Sequence, residues 1–218
     1  MKNIVATALI LALGSAFAPS VSAIEVSPLG MTHAPSQRVG VLNLRNSATT
    51  PKTYQLSAES WTVENGVQVR NPSQDIRFAP AVVTIAPGGA QTVRYAIRVD
   101  TTGSERAYRV VVREIVGPDA KPNELGLIMA MHMDFPYFWR SPNDAPSLSA
   151  RWDDDDLVVK NSGTATAQLA DLTAGAVVKQ GLVGYVMPGE ERRIRVEGGK
   201  GSTVSVRVNG KDQSLAVQ

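Results

Sequence analysis

Few residues in this chain of 218 have the types and spacing that chemistry requires. Asp153 to Asp156 is the densest charge run, and four carboxylates invite a calcium reading. A calcium loop of the helix-loop-helix kind needs spaced oxygen ligands, a glycine for the sharp turn and a distal glutamate. Consecutive residues of an extended chain point to opposite sides and no such glycine follows, so the run reads as the solvated tip of a hairpin between Trp152 and Leu157. There are two histidines, His33 and His132, and no cysteine. That composition removes thiol nucleophiles, redox exchange, disulfides and both thiolate and histidine-rich metal sites. His132 has no Ser or Cys motif beside it that would use a base, and His33 lies in an early segment rich in Pro and Ser; both read as packed or surface histidines. Gly198-Gly199-Lys200-Gly201 lacks the spacing and the following helix of a phosphate loop and reads as a turn. Neither G-x-S-x-G nor S-x-x-K occurs beyond the first 23 residues. The chain reads as a non-enzyme without a cofactor.

What remains is a pattern rather than a reactive group. From Leu125 to Phe135 the chain is L-G-L-I-M-A-M-H-M-D-F, with Leu125, Leu127, Met129, Met131, Met133 and Phe135 large and apolar at every odd position. A period of two is a β-strand with one apolar face. Methionine is flexible and fills irregular gaps, which suits a surface adapting to partners better than a core of fixed shape. Two readings stay open on these residues alone: a core face, or a strand offered to another protein.

The elements that would hold such a strand are short alternating or apolar runs punctuated by Gly, Pro, Asn and Asp. The runs are Arg38–Asn46, Lys52–Thr62, Ala81–Ile85, Thr92–Val99, Ala107–Val116, Leu157–Lys160, Thr166–Leu172, Glu191–Val196 and Thr203–Val208. None sustains a helical stripe, and their spacing predicts an all-β antiparallel sandwich or barrel. Asn65-Gly66 and Asn209-Gly210 are hairpin turn pairs. A-P-G-G-A-Q-T-V-R from Ala86 and M-P-G-E-E-R-R-I-R from Met187 read as one corner used twice. So do L-N-L-R-N-S-A from Leu42 and L-V-V-K-N-S-G from Leu157, which suggests two copies of a sandwich. Ser141 to Ser147, with two prolines, reads as the link between them.

At the N-terminus Met1 and Lys2 precede an apolar stretch from Ile4 to Ala18, and Val21-Ser22-Ala23 supplies the small residues of a cleavage site. Cleavage after Ala23 is expected, leaving 195 of the 218 residues and a formal charge near +1, since Lys2 is lost from a total of +2. The apolar stretch falls short of the roughly 20 residues of a spanning helix. A balance this close to neutral argues against nucleic acid or an anionic membrane surface as the main partner, and no later segment is continuously apolar enough to span a bilayer, so no membrane insertion is expected.

In order along the chain, these motifs resemble the periplasmic chaperones of the chaperone/usher pathway, which escort pilus and fimbrial subunits. The stretch Arg38 to Leu56 looks like their second and third strands, Phe78 to Arg94 like their Pro-containing strand and Pro-Gly corner, and Ser104 to Ile115 like their sixth strand with its leading Glu and closing R-E-I. D-F-P-Y-F-W (Asp134 to Trp139) and the stretch Gly184 to Arg195 look like the archaic branch associated with spore-coat-U-like subunits. The resemblance implies two immunoglobulin-like β-sandwich domains in an L-shaped arrangement: residues 24–142 as the chaperone domain and 147–218 as a smaller second domain, behind a signal peptide over 1–23. It implies that the odd residues Leu125, Leu127, Met129, Met131 and Met133 are a donor strand filling the groove of a pilus subunit that lacks its own last strand. An outer-membrane usher is the second implied partner, and the exposed Leu and Met would favour self-association of the free chain.

In the best-known branch an Arg of the first strand and a Lys of the seventh anchor the subunit's C-terminal carboxylate between the domains. The positions matched to them are Gly30 and Pro136, and neither Ile24–Gln37 nor Asn123–Trp139 contains a Lys or Arg. Candidate replacements are Arg94, Arg109 and Arg113, with Arg94 first because it closes the Pro-Gly corner motif. Two competing classes are a pilus or surface structural subunit and an exported carbohydrate-binding sandwich. For the second, the aromatics Phe135, Tyr137, Phe138 and Trp139 would form the site, although core and hinge packing is the simpler role for them.

Overall fold

The computed structural model describes residues 24–118, 122 and 126–217. The leader with its expected cleavage point, and Leu125 of the donor set, lie outside the described residues. Period-two burial dominates, and the described residues form strands and no helix. Before residue 140 these are β1 (Ile24–Ser27), β2 (Met31–His33), β3 (Val39–Asn46), β4 (Lys52–Glu64), β5 (Val67–Ser73), β6 (Ile76–Ala79), β7 (Val82–Ile85), β8 (Ala90–Ile97), β9 (Arg106–Ile115) and β10 (His132–Trp139).

They make two facing sheets, one ordered β1-β3-β8-β6 and the other β2-β10-β9-β4-β5 with β7 also on β4. Twice the chain changes sheet at a proline: β1 pairs with β3 and β2 with β10 on either side of Pro28, and β6 pairs with β8 and β7 with β4 on either side of Pro80. Leu42, Leu44, Val93 and Tyr95 of the first sheet meet Leu56, Val110, Val112, Tyr137 and Trp139 of the second in one core. Removing side chains of this size from water is worth about 1.5–3 kcal/mol each, the main source of stability in a chain without disulfides.

The second sandwich contains β11 (Leu148–Asp153), β12 (Asp156–Asn161), β13 (Ala167–Ala174), β14 (Val177–Val186), β15 (Glu191–Arg195), β16 (Thr203–Val208) and β17 (Lys211–Ala216). Its sheets run β11-β12-β15 and β14-β13-β16-β17 around Leu157, Val159, Leu169, Leu172, Val186 and Val204. Between the sandwiches, Ser141 to Asp144 close a turn in which the Asp144 N–H donates to Ser141 O at 3.0 Å.

The corner read twice from the sequence is built twice. Asn46 ends β3 fully buried and donates through Nδ2 to Thr50 O and Ile85 O, while its Oδ1 accepts from Ala48 N. Asn161 ends β12 fully buried and donates to Ala165 O and Val186 O, its Oδ1 accepting from Gly163 N. Each backbone carbonyl also takes the N–H of the Pro-Gly turn, Gly88 in one case and Gly189 in the other. Asp154 and Asp155 form the tip between β11 and β12, where Asp153, Asp155 and Asp156 pair with Arg193 and Arg195. The described residues contain no group of His, Asp and Glu placed to hold a metal ion. No helix long and apolar enough to cross a membrane occurs among the described residues.

One expectation changes: the strand read over 125–135 begins only at His132 and runs on to Trp139. The phase is the one that the alternation predicts, and β10 is later than the alternation because it forms where its odd face has a core to cover.

Candidate functional site

The odd residues of the methionine run divide into three zones. Tyr137 and Trp139 are wholly buried and Phe135 nearly so. Met131 and Met133 are half-buried against the same core. Beyond them Met129 is 76% exposed and Leu127 57%. The apolar alternation therefore outruns the sandwich that it helps to close, into residues 127–130, which are exposed and in no strand here. At a rise of about 3.3 Å per residue, the stretch from Leu127 to Met131 would reach some way past the sheet if extended. Ile128 and Met129 instead border a cavity of about 690 Å3 with Thr50, Lys52, Glu114 and Val116.

The even face of β10 does something different. Cross-strand register sets His132 beside Arg113, Pro136 beside Arg109 and Phe138 beside Ala107. Phe138 and Ala107 join Trp61 of β4 in a cluster with Met187, and Tyr185 and Val63 pack against it, so the second sandwich docks on this end of the sheet. Polar bonds reinforce the joint. Gln68 Nε2 donates to Tyr185 O at 2.9 Å and to the Glu190 carboxylate at 2.8 Å, while Trp61 Nε1 donates to Gln68 Oε1 at 3.2 Å. Glu105, at 2% side-chain exposure, accepts from Arg140 at 2.9 Å and from the Thr166 N–H at 3.0 Å.

Arg109 sits inside this joint. Its guanidinium lies over the Trp61 ring at 5.0 Å and the Tyr185 ring at 5.9 Å, and its Nε donates to Asp134 Oδ1 at 2.5 Å. Burial alone would raise the Asp134 carboxyl, but the Arg109 hydrogen bond and charge, with Arg70 adding to them, hold it below its ordinary value. A cavity of about 200 Å3 bordered by Arg70, Arg109, Tyr185 and Arg192 opens on one side of Tyr185. Tyr185 also borders a cavity of about 320 Å3 together with Gly30, Thr32, Pro136, Arg140 and Asn209.

Residues 24–144 match the family model described as pili and flagellar-assembly chaperone, PapD N-terminal domain. The chain belongs to this chaperone family. No curated protein matches the chaperone in sequence. Among solved structures, its fold is similar to the CsuC-CsuE chaperone-tip adhesion subunit pre-assembly complex from archaic chaperone-usher Csu pili of Acinetobacter baumannii. That match has a TM-score of 0.70 and 17% identity over 90% of this chain and 98% of that one. The Salmonella enterica SafA pilin in complex with the SafB chaperone gives 0.69 and 17% over 91% and 97%. The E. coli chaperone DraB gives 0.67 and 14% over 90% and 96%. Two immunoglobulin-like domains are the shared architecture.

Within the chaperone the three candidate cations separate. Arg94, ranked first from the sequence, lies exposed on the outer face of the opposite sheet beside Val41 and Ala79. It alternates with the buried Val93 and Tyr95 of β8, and that phase points it away from the joint between the domains. Arg113 is exposed toward the far end of β9 and donates to Gln55 Oε1 at 2.7 Å. Only Arg109 is at the joint, one strand across from Pro136. Gly30 and Pro136 themselves are in contact: a Cβ on Gly30, at φ +129°, would stand 3.0 Å from Pro136 O, so a larger first-strand residue does not fit there. The aromatics proposed for a carbohydrate site are core, Phe135, Tyr137 and Trp139 in the first domain and Phe138 in the joint. Glu105, Gln68 and Glu190 were not singled out from the sequence; the leading Glu of the Ser104 to Ile115 motif was the one available signal.

Proposed function

We propose that this chaperone holds a pilus subunit by lending it the segment Leu127–Met133 as a strand, protects it in the periplasm, and delivers it to an outer-membrane usher. The observation that carries this is the apolar face that continues past its own core. Strand addition divides the work: main-chain hydrogen bonds supply pairing and alternate side chains fill pockets. Backbone bonds contribute about 0.5–1.5 kcal/mol each and do not distinguish subunits. Met131 and Met133 are already half-covered, so Leu127 and Met129 supply most of the new burial, about 1.5–3 kcal/mol each if fully buried, before the cost of association. Their flexibility suits grooves of more than one shape. The role is binding, with no bond made or broken by the chaperone, and it follows export behind the cleaved leader.

Of the three candidate cations, Arg109 is the one placed to meet a subunit's terminal carboxylate, because it lies at the joint and a carboxylate buried there needs a charged partner. The test is co-expression with the pilus subunit of the chaperone's own gene cluster and isolation from the periplasm. A stable one-to-one complex is expected, weakened about tenfold by Arg109→Gln and unchanged by Arg94→Gln. A subunit equally abundant and equally intact without the chaperone contradicts the function; equal effects of the two substitutions contradict the anchor.

A further inference from the structure

The ladder between β9 and β10 ends on a side chain. Glu114 N donates to Met131 O at 2.8 Å. In an antiparallel pair the Met131 N–H returns that bond to the Glu114 carbonyl. Here it donates to the Glu114 carboxylate, reaching Oε2 at 3.1 Å. The other oxygen, Oε1, accepts from Lys52 Nζ at 2.6 Å, and the Glu114 side chain is only 9% exposed. An ionised acceptor fixed in this way competes well with a carbonyl.

The two flanks of β9 then differ. Toward β4, pairing continues to Thr53 opposite Ile115. Toward β10, it stops at His132 opposite Arg113. Among the described residues no backbone bond ties Ile128, Met129 or Ala130 to β9. If the ladder simply continued, Met129 would pair with Val116. A strand inserted into the middle of another sheet pairs along both edges, so pairing to its own chain would compete with the lending of it. A slip of one residue would also exchange its odd and even faces.

We infer that Glu114, pinned by Lys52, is a positioning residue that ends β10 at Met131 and keeps residues 128–130 off the chaperone's own sheet, in the phase that offers Met129 to a subunit. This rests on the donor-strand reading above. The test compares the full chain with Glu114→Ala, which removes the acceptor, and Glu114→Gln, which keeps one. Amide exchange is measured at Met129, Val110 and Val112, and complex yield is measured by co-expression with the pilus subunit of the same gene cluster.

Glu114→Ala is expected to slow exchange at Met129 about tenfold as the ladder extends, to leave Val110 and Val112 unchanged, and to lower complex yield several-fold. Glu114→Gln stays close to the parent in each. Loss of a purely structural contact would speed exchange instead of slowing it. Faster or unchanged exchange at Met129, or an unchanged complex yield, overturns the inference about Glu114. Met129→Asp serves as the control: if that variant still forms the complex, the donor-strand reading is what fails.

Discussion

His33 shows how a residue without chemistry still sets a property of the molecule. It is 1% exposed, its Nε2 lies 3.0 Å from the Tyr95 hydroxyl, and its ring lies 4.6 Å from that of Trp139. Burial pushes the imidazole below its ordinary value, and the Gln37 side chain offsets part of that shift. The folded state therefore takes up the proton at lower pH than the unfolded chain does. Stability from this group is fully present above about pH 6.5, where both states are neutral, and falls as the pH drops from there toward the lowered native value. Urea midpoints at pH 7.5 and 5.5 measure this. The parent is expected to lose stability between them, and His33→Gln to show a smaller loss; equal slopes would place the pH dependence elsewhere. The sequence leaves His33 as a surface or packed histidine of an early loop, whereas it is fully buried at the end of β2. Its partners were not legible, because Tyr95, Tyr137 and Trp139 come from strands more than sixty residues away. Arg94 was misplaced for a related reason: alternation says that it faces away from Val93, without saying which sheet β8 joins.

At the scale of the strand, alternation carried most of the reading. Nine runs found by pattern correspond to strands here, and the twin corners at Asn46 and Asn161 were visible as repeated letters before they were visible as matching hydrogen bonds. Strands β5, β14 and β17 were not read, because their residues are largely exposed or half-exposed and show no apolar period. The methionine run alternates from Leu125 although β10 starts only at His132, since a period of two persists whether or not a sheet is present to receive it. That division makes a prediction about two residues of the same type and phase. Met133 packs on the first core and Met129 does not, so Met133→Asp should cost about 2 kcal/mol or more of unfolding free energy and Met129→Asp about 0.5 or less. Chemical denaturation of the two variants measures it. Equal losses would mean that the apolar face does not outrun its core.

For the whole molecule, the two faces of β10 have separate tasks. The odd face closes the first domain and then leaves it. The even face carries Phe138 into the joint, where Trp61, Met187 and Tyr185 dock the second domain and Glu105 and Gln68 tie it down. A lent strand is useful only if its root is rigid, and the joint together with the aromatic core supplies that root. The direct test of donation is its phase. The chaperone is co-expressed with the pilus subunit of its gene cluster, and the yield of one-to-one complex is compared for Met129→Asp and Ala130→Asp, neighbours with opposite faces. Donation predicts that Met129→Asp abolishes the complex and Ala130→Asp retains most of it; equal yields from the two would contradict it.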